Sequence, residues 1–244
     1  MTRPADVVVR RPEDFASVLA TAEPVLVVGG QAVNLWALAY PDRTAELAPF
    51  TSRDVDILGD VATLAELGRL AGVRPQRFPF RPPTNEVGVV IARDRSDQPM
   101  LVQVLRHVHG ATNVEISDPA YTMALGPRQV KVRVPGPIAL FQAKLANVTG
   151  LNQAGRQDGR HVVILSRVIP AYLDDLQAAT RDGRLEERQL LDFLEQLLRI
   201  VTLKKNLQAL GNLSIDPREL FASLKPQRLP KLRAFLEKRL PRRL

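Results

Sequence analysis

An apolar run, Val25 to Val28, ends in two adjacent glycines, Gly29 and Gly30, and leads into a second apolar stretch, Gln31 to Tyr40, that Pro41 stops. The first run has the length of a buried strand and the second that of a helix, so the glycines mark a strand-to-helix turn. No other feature of the chain limits its fold as much, because the turn asks for a sheet on one side and a helix packed back on it on the other. It also carries chemistry. Glycines let a ligand approach the backbone closely, and the first turn of a helix offers N–H groups and a positive dipole end to a phosphate. Alone, a Gly-Gly turn is more often plain structure, and neither Walker spacing nor a Gly-x-Gly-x-x-Gly pattern is present.

A second segment changes its meaning. In Ser52-Arg53-Asp54-Val55-Asp56 the two aspartates stand at i and i+2. On a strand both carboxylates face one side while Val55 and Ile57 face the core. Like charges placed side by side repel, and a divalent cation relieves that repulsion. An oxygen-only pair suits Mg2+ (or Mn2+), which would keep its other positions for water and triphosphate oxygens. The competing interpretation of this segment is a strand end with two solvated aspartates.

The surrounding pattern alternates short strands and helices through the first two-thirds of the chain. Helices are expected at Asp14 to Ala22, Gln31 to Tyr40 and Thr63 to Ala71, and strands at Val25 to Val28, Val55 to Leu58, Val87 to Arg93 and Leu101 to Val108. The sheet is expected to be mixed. At Val130 to Pro137 a short strand meets Pro135, Gly136 and Pro137, where a helix can begin with proline in its first turn. From there Ile138, Phe141, Leu145 and Val148 mark one amphipathic helix, His161 to Ile169 a second, and Leu190, Leu194, Leu197 and Val201 a third. The fold class that follows is α+β, with an α/β lobe over residues 1–135 and a helical C-terminal lobe over residues 136–244. Trp36, Phe78 and Phe80 are expected to anchor core or loops, in a chain with only 5% aromatic residues.

With no cysteine, disulfide frameworks, thiolate zinc sites and cysteine nucleophiles are excluded, and a reducing cytoplasm is the expected setting. No run of about 18 apolar residues could span a bilayer, so no membrane partner is expected. The absence of Gly-x-Ser-x-Gly, His-Glu-x-x-His and the kinase signatures removes the usual support for hydrolase, zincin and protein-kinase functions. The net charge of +8 is concentrated at the end: Lys225 to Leu244 holds eight basic residues against Glu237 alone. Leu229, Leu232, Leu236 and Leu240 there recur at helical spacing, so an amphipathic helix with a basic face is expected, suited either to nucleic-acid phosphates or to plain solvation.

Taken together, the glycine turn, the following helix and Ser52-x-Asp54-Val55-Asp56 resemble the nucleotidyltransferase superfamily. The later Lys144, in Phe141-Gln142-Ala143-Lys144-Leu145, and Arg156-Gln157-Asp158 are similar to the arrangement of its abortive-infection-type (AbiEii-like) toxin members. The resemblance covers approximately residues 25–165. It implies a nucleotidyltransferase-fold lobe that moves a nucleoside monophosphate from an NTP to an acceptor, with an antitoxin protein as partner; the basic tail, outside the resemblance, points to RNA as the acceptor. It assigns nucleotide binding to Gly29, Gly30, Gln31, Ser52 and Lys144, catalysis to Asp54, Asp56, Lys144 and Asp158, and the metal to Asp54 and Asp56. Lys144 would bring a point charge towards triphosphate, the alternative being a solvated surface lysine, and Asp158 would orient it, the alternative being a local salt bridge with Arg156 or Arg160.

The pattern breaks at one position. The superfamily takes a third carboxylate from a neighbouring strand, expected here in Leu101-Val102-Gln103-Val104-Leu105, where the inward polar residue is Gln103. An amide offers the metal an oxygen but neither charge nor basicity. His107 or Glu115 downstream could substitute, and His107 and His109 are expected at the surface or facing substrate. Two functions therefore remain open: a metal-dependent nucleotidyltransferase, or a catalytically impaired relative that binds a nucleotide or nucleic acid.

Overall fold

The computed structural model of the chain describes residues 8–79 and 84–244; Phe80 lies outside them. In chain order the first part carries β1 (Leu26–Val28), α1 (Gly29–Ala39), α2 (Pro41–Thr44), β2 (Asp54–Leu58), α3 (Val61–Leu70), β3 (Gln76–Arg77), β4 (Glu86–Arg93), β5 (Pro99–Leu105), α4 (Asn113–Ser117), β6 (Ala120–Leu125) and β7 (Val130–Pro135). The strands form one mixed sheet in the order β3-β4-β5-β2-β1-β7-β6. β2 runs antiparallel to β1 and parallel to β5, and β7 runs parallel to β1. After Pro135 every described element is helical: α5 (Pro137–Gly150), α6 (Asp158–Arg181), α7 (Glu187–Thr202), α8 (Lys204–Asn212) and α9 (Pro230–Ala234), with short 3-10 and π turns at the end. The architecture is α+β, a mixed sheet followed by a helical C-terminal region.

Alternation along β2 sets up everything that follows. Val55 and Ile57 are buried at 1% and 0% exposure, while Asp54, Asp56 and Leu58 on the other face are half-buried. Below the sheet one continuous apolar core runs from Phe15 to Phe235 and joins strands to helices. On the opposite face a small cluster of Leu26, Val28, Ile116 and Ala139 packs beside the polar positions. Trp36 sits inside the main core. Its indole N–H donates to the Pro135 carbonyl at 2.7 Å, and its ring meets Tyr121 and Tyr172 edge-on. That places the end of the last strand, where α5 departs, against α1.

Several elements differ from the sequence expectation, each for a local reason. Asp14 to Ala22 is not a helix: a 3-10 turn over Pro12–Phe15 gives way to turns, and the Thr21 hydroxyl donates to the Glu23 carbonyl, a side-chain bond that competes with helix. α1 starts on the glycines themselves rather than at Gln31. β6 was not marked by periodicity because it is a half-exposed edge strand. α6 extends far beyond Ile169, through Pro170, whose carbonyl accepts the Ser223 hydroxyl at 2.7 Å.

The basic tail is helical only from Pro230. Gln177 holds Lys225 by both its backbone N–H and its carbonyl, which keeps the preceding residues in a turn. A π turn at Phe235–Arg239 then shifts the register, so that Phe235 joins Leu229 and Leu232 in the core while Leu236 and Leu240 are only partly covered.

Candidate active site

The turn from β1 to α1 faces β2 directly, because Val28 is the register partner of Asp56. Gly29 has φ +67, and a β-carbon there would stand 1.9 Å from Asp56 Oδ2. Only glycine meets both demands, the left-handed backbone and the close approach of the carboxylate. Gly30 lies in the first turn of α1, where N–H groups lack partners within the helix. A β-carbon on Gly30 would lie 3.2 Å from Ser52 Oγ and 3.1 Å from His161 Cε1.

On the other side of β2, Asp56 is the register partner of Gln103 in parallel β5. Register partners project from the same face, so Val28, Asp56 and Gln103 form one row across three strands. Gln103 is 7% exposed. Asp54 stands two residues before Asp56 on that face and accepts the Ser52 hydroxyl at 3.2 Å. Ser52 itself is pinned by a pair of backbone hydrogen bonds with Arg10.

Above this row, α5 and α6 deliver a buried ionic cluster. Lys144 Nζ donates to Asp158 Oδ1 at 2.9 Å, with side-chain exposures of 9% and 3%. Asn147 donates to the same oxygen and Arg156 Nε to Oδ2 at 2.6 Å. Burial is the largest influence on the Asp158 carboxyl and pushes its pKa up, but the Lys144 charge and the hydrogen bonds outweigh it and leave it at about 2. Lys144 is therefore no solvated surface lysine. Asp158 pairs with it and also locally with Arg156, while Arg160 donates to the Leu47 and Pro49 carbonyls.

These residues share one cavity of about 350 Å³, whose wall includes Gly29, Gly30, Ser52, Asp54, Asp56, Gln103, Lys144 and Asp158. Gln31 is the expected site residue that does not reach it. Its side chain, 1% exposed, donates to the Arg10 carbonyl and accepts from Asn34, because one step along a helix turns a side chain by about 100°. Through Arg10 it supports the segment that carries Ser52. Glu115 is also elsewhere: its carboxylate caps α4 by accepting the Thr112 backbone N–H, which, ahead of all other influences, lowers its pKa. His109 does line the cavity, whereas His107 does not.

Other wall residues were not singled out in the sequence, Glu86, Asn147 and His161 among them. Glu86 enters from β4 and Asn147 from α5, and neither carries a local signal. His161 had one: it follows Asp158 by three residues, the spacing that puts two side chains on one helix face. The imidazole is 5% exposed, and burial first, then the Lys144 charge, lowers its pKa to about 3.

For a divalent cation the donor set is Asp54 and Asp56 with the Gln103 amide beside Asp56, all oxygen. Among the described residues no group of three His, Cys, Asp or Glu is gathered to hold a metal. The site thus fits an ion such as Mg2+, which is bound by one or two carboxylates and completes its shell with water and phosphate, and not a fully protein-ligated ion such as structural zinc. No helix of the described residues is long and apolar enough to cross a membrane.

No protein-family model and no curated protein matches the chain. Among solved structures, an antigenic nucleotidyltransferase-like protein from Paracoccidioides brasiliensis aligns with 89% of this chain and 97% of its own, at 15% identity and a TM-score of 0.43. At that score the likeness says nothing of function.

Proposed function

We propose that the chain is a metal-dependent nucleotidyltransferase that takes a nucleoside triphosphate in the cavity between β2 and the α5–α6 pair. The observation that carries this is the convergence on one cavity wall of the glycine turn, Asp54, Asp56 and the buried Lys144. In this reading the triphosphate lies against Gly29 and Gly30, and the N-terminus of α1 and the Lys144 ammonium offset its charge. An ammonium has three N–H donors and Asp158 takes one, so the pair fixes the cation without exhausting it.

Asp54 and Asp56 would hold Mg2+ or Mn2+, which supplies charge neutralisation and orientation of the phosphates when bound. The acceptor hydroxyl oxygen bonds to the α-phosphorus, the bond to the bridging oxygen breaks and pyrophosphate leaves. Gln103 cannot take the hydroxyl proton. Glu86, the remaining carboxylate on the cavity wall, is the base this reading assigns. RNA as acceptor is supported by the tail: all eight basic residues from Lys225 onward are exposed, and Arg239 alone of them pairs with an acidic side chain, Glu195, in a described salt bridge. The toxin-type resemblance of Lys144 and Arg156-Gln157-Asp158 adds an antitoxin protein as partner.

The test is incubation with labelled NTPs, Mg2+ or Mn2+ and cellular RNA. Transfer that Asp56→Ala abolishes and Glu86→Gln slows at least tenfold supports the assignment, and no transfer from any NTP defeats it. A second reading is favoured by one observation, the neutral Gln103 beside Asp56: the protein binds nucleotide or nucleic acid without transferring. Binding without transfer in the natural chain, with transfer switched on by Gln103→Asp, would select that reading.

A further inference from the structure

His161 is more than nine-tenths buried, and among the described residues neither of its ring nitrogens has a hydrogen-bond partner. A neutral imidazole carries one N–H donor and one acceptor, and interiors rarely leave both unmet. The surroundings show what is lacking. The Cε1–Nε2 edge of the ring is turned to the glycine turn, with these atoms 3.1 and 3.5 Å from the position of a β-carbon on Gly30. Ser52 Oγ is 3.2 Å from the same point. The ring therefore borders the first turn of an eleven-residue helix, whose N–H groups attract anions, and it lines the cavity there.

The groups packed around it define the role further. Lys144 and Arg156 supply positive charge and Asp158 takes one hydrogen bond from each of them. None of them bonds the imidazole. A further cation in that cluster is disfavoured by burial first and then by Lys144, which keeps the ring neutral through the physiological range. A neutral ring can still donate its N–H.

We infer that His161 is a phosphate-binding residue: when a nucleoside triphosphate enters, the Nε2–H donates a hydrogen bond to a phosphate oxygen held at the first turn of α1. This rests on the nucleotide reading of the cavity and adds a residue to it. A triphosphate thus meets backbone N–H groups from α1, a cation from α5 and a neutral donor from α6. A side chain at Gly30 would crowd the space between the ring and Ser52.

Calorimetry with Mg2+ and a non-hydrolysable nucleoside triphosphate tests the inference on the full chain and on His161→Phe and His161→Gln. Phenylalanine keeps the bulk and removes both nitrogens, while glutamine restores an N–H donor. The expected result is binding about tenfold weaker in His161→Phe and largely recovered in His161→Gln, with no dependence on protonation of this ring between pH 5.5 and 8. In the natural chain, imidazole 1H–15N spectra give a reading that needs no variant: with three histidines in the sequence, the His161 N–H signal is expected to move downfield on addition of the triphosphate. Binding by the natural chain that His161→Phe leaves within twofold, or an unmoved His161 signal where that variant does not fold, overturns the inference and leaves the nucleotide reading standing. No binding by the natural chain overturns both.

Discussion

Replacing Lys144 with methionine isolates the ionic cluster from the rest of the site. Methionine keeps most of the aliphatic bulk, so the change removes a charge and a donor more than a volume. Asp158, 3% exposed at its side chain, is then left with Asn147 and Arg156, the latter 41% exposed. Breaking a buried pair costs roughly 3–5 kcal/mol, and the two surviving partners reduce that to about 2–4 kcal/mol at pH 7. The sign of the pH dependence follows from the carboxyl. In the natural chain its folded pKa, about 2, is below the unfolded value, so its stabilisation is complete above pH 4 and lost as pH falls through 2. Without Lys144, burial pulls the pKa upward, and the variant takes up its proton at a higher pH than the natural chain does. The stability gap therefore narrows in acid, by up to about 1.4 kcal/mol per pH unit below the variant's own pKa. His161, relieved of the same cation, shifts the gap in the same direction. Urea unfolding of both chains at pH 7 and at pH 4 measures it. A gap below about 1 kcal/mol at pH 7, or one that does not change with pH, would refute the account of this cluster.

Three further outcomes are expected. Gly29→Ala forces a side chain onto a backbone at φ +67 and against Asp56 Oδ2, whereas Gly72→Ala, at φ +65 with open space around it, meets only the backbone cost of about 1–2 kcal/mol. Urea midpoints should show Gly29→Ala to be the more damaging, and equal losses would mean that the turn does not press on Asp56. Because His161 is neutral when folded and has a pKa near 3 against 6.5 unfolded, its contribution is complete above pH 6.5 and falls by about 3 kcal/mol by pH 4.5, so His161→Phe should flatten that part of the stability profile. Reversing charge at Lys231, Arg233 and Lys238, all exposed, should weaken RNA binding and lower its salt dependence in filter-binding assays while leaving the melting temperature unchanged.

The parts of the site visible in the sequence are those whose signal is local. Gly29 and Gly30 interrupt an apolar run, and Asp54 and Asp56 interrupt the alternation of a strand, so their types and spacing already place them on a turn and on one strand face. Gln103 was legible for the same reason, as a polar residue at an inward position of an apolar strand, and the β2–β5 register sets it beside Asp56. Lys144 and Asp158 are fourteen residues apart on two helices, and their union depends on how α5 and α6 pack. His161 was harder still, since nothing in its neighbours along the chain announces that both ring nitrogens are buried without partners. Gln31 shows the converse, a residue that is adjacent to the turn in sequence but rotated away by the helix. In the tail, leucine spacing gave the apolar face, but the π turn that brings in Phe235 is a packing effect, settled by the Phe221 ring 6.1 Å away.

The central claim is that Asp54 and Asp56 form a metal and nucleotide site with the glycine turn. Crystals soaked with Mn2+ and a non-hydrolysable nucleoside triphosphate test it most directly, because the anomalous signal of manganese locates the ion independently of the phosphates. The predicted result is a peak about 2.1 Å from oxygens of Asp54 and Asp56, with the triphosphate against Gly29 and Gly30 and the Gln103 amide beside the ion. Crystals that hold the nucleotide elsewhere, or show no manganese in the cavity at saturating concentration, would contradict it.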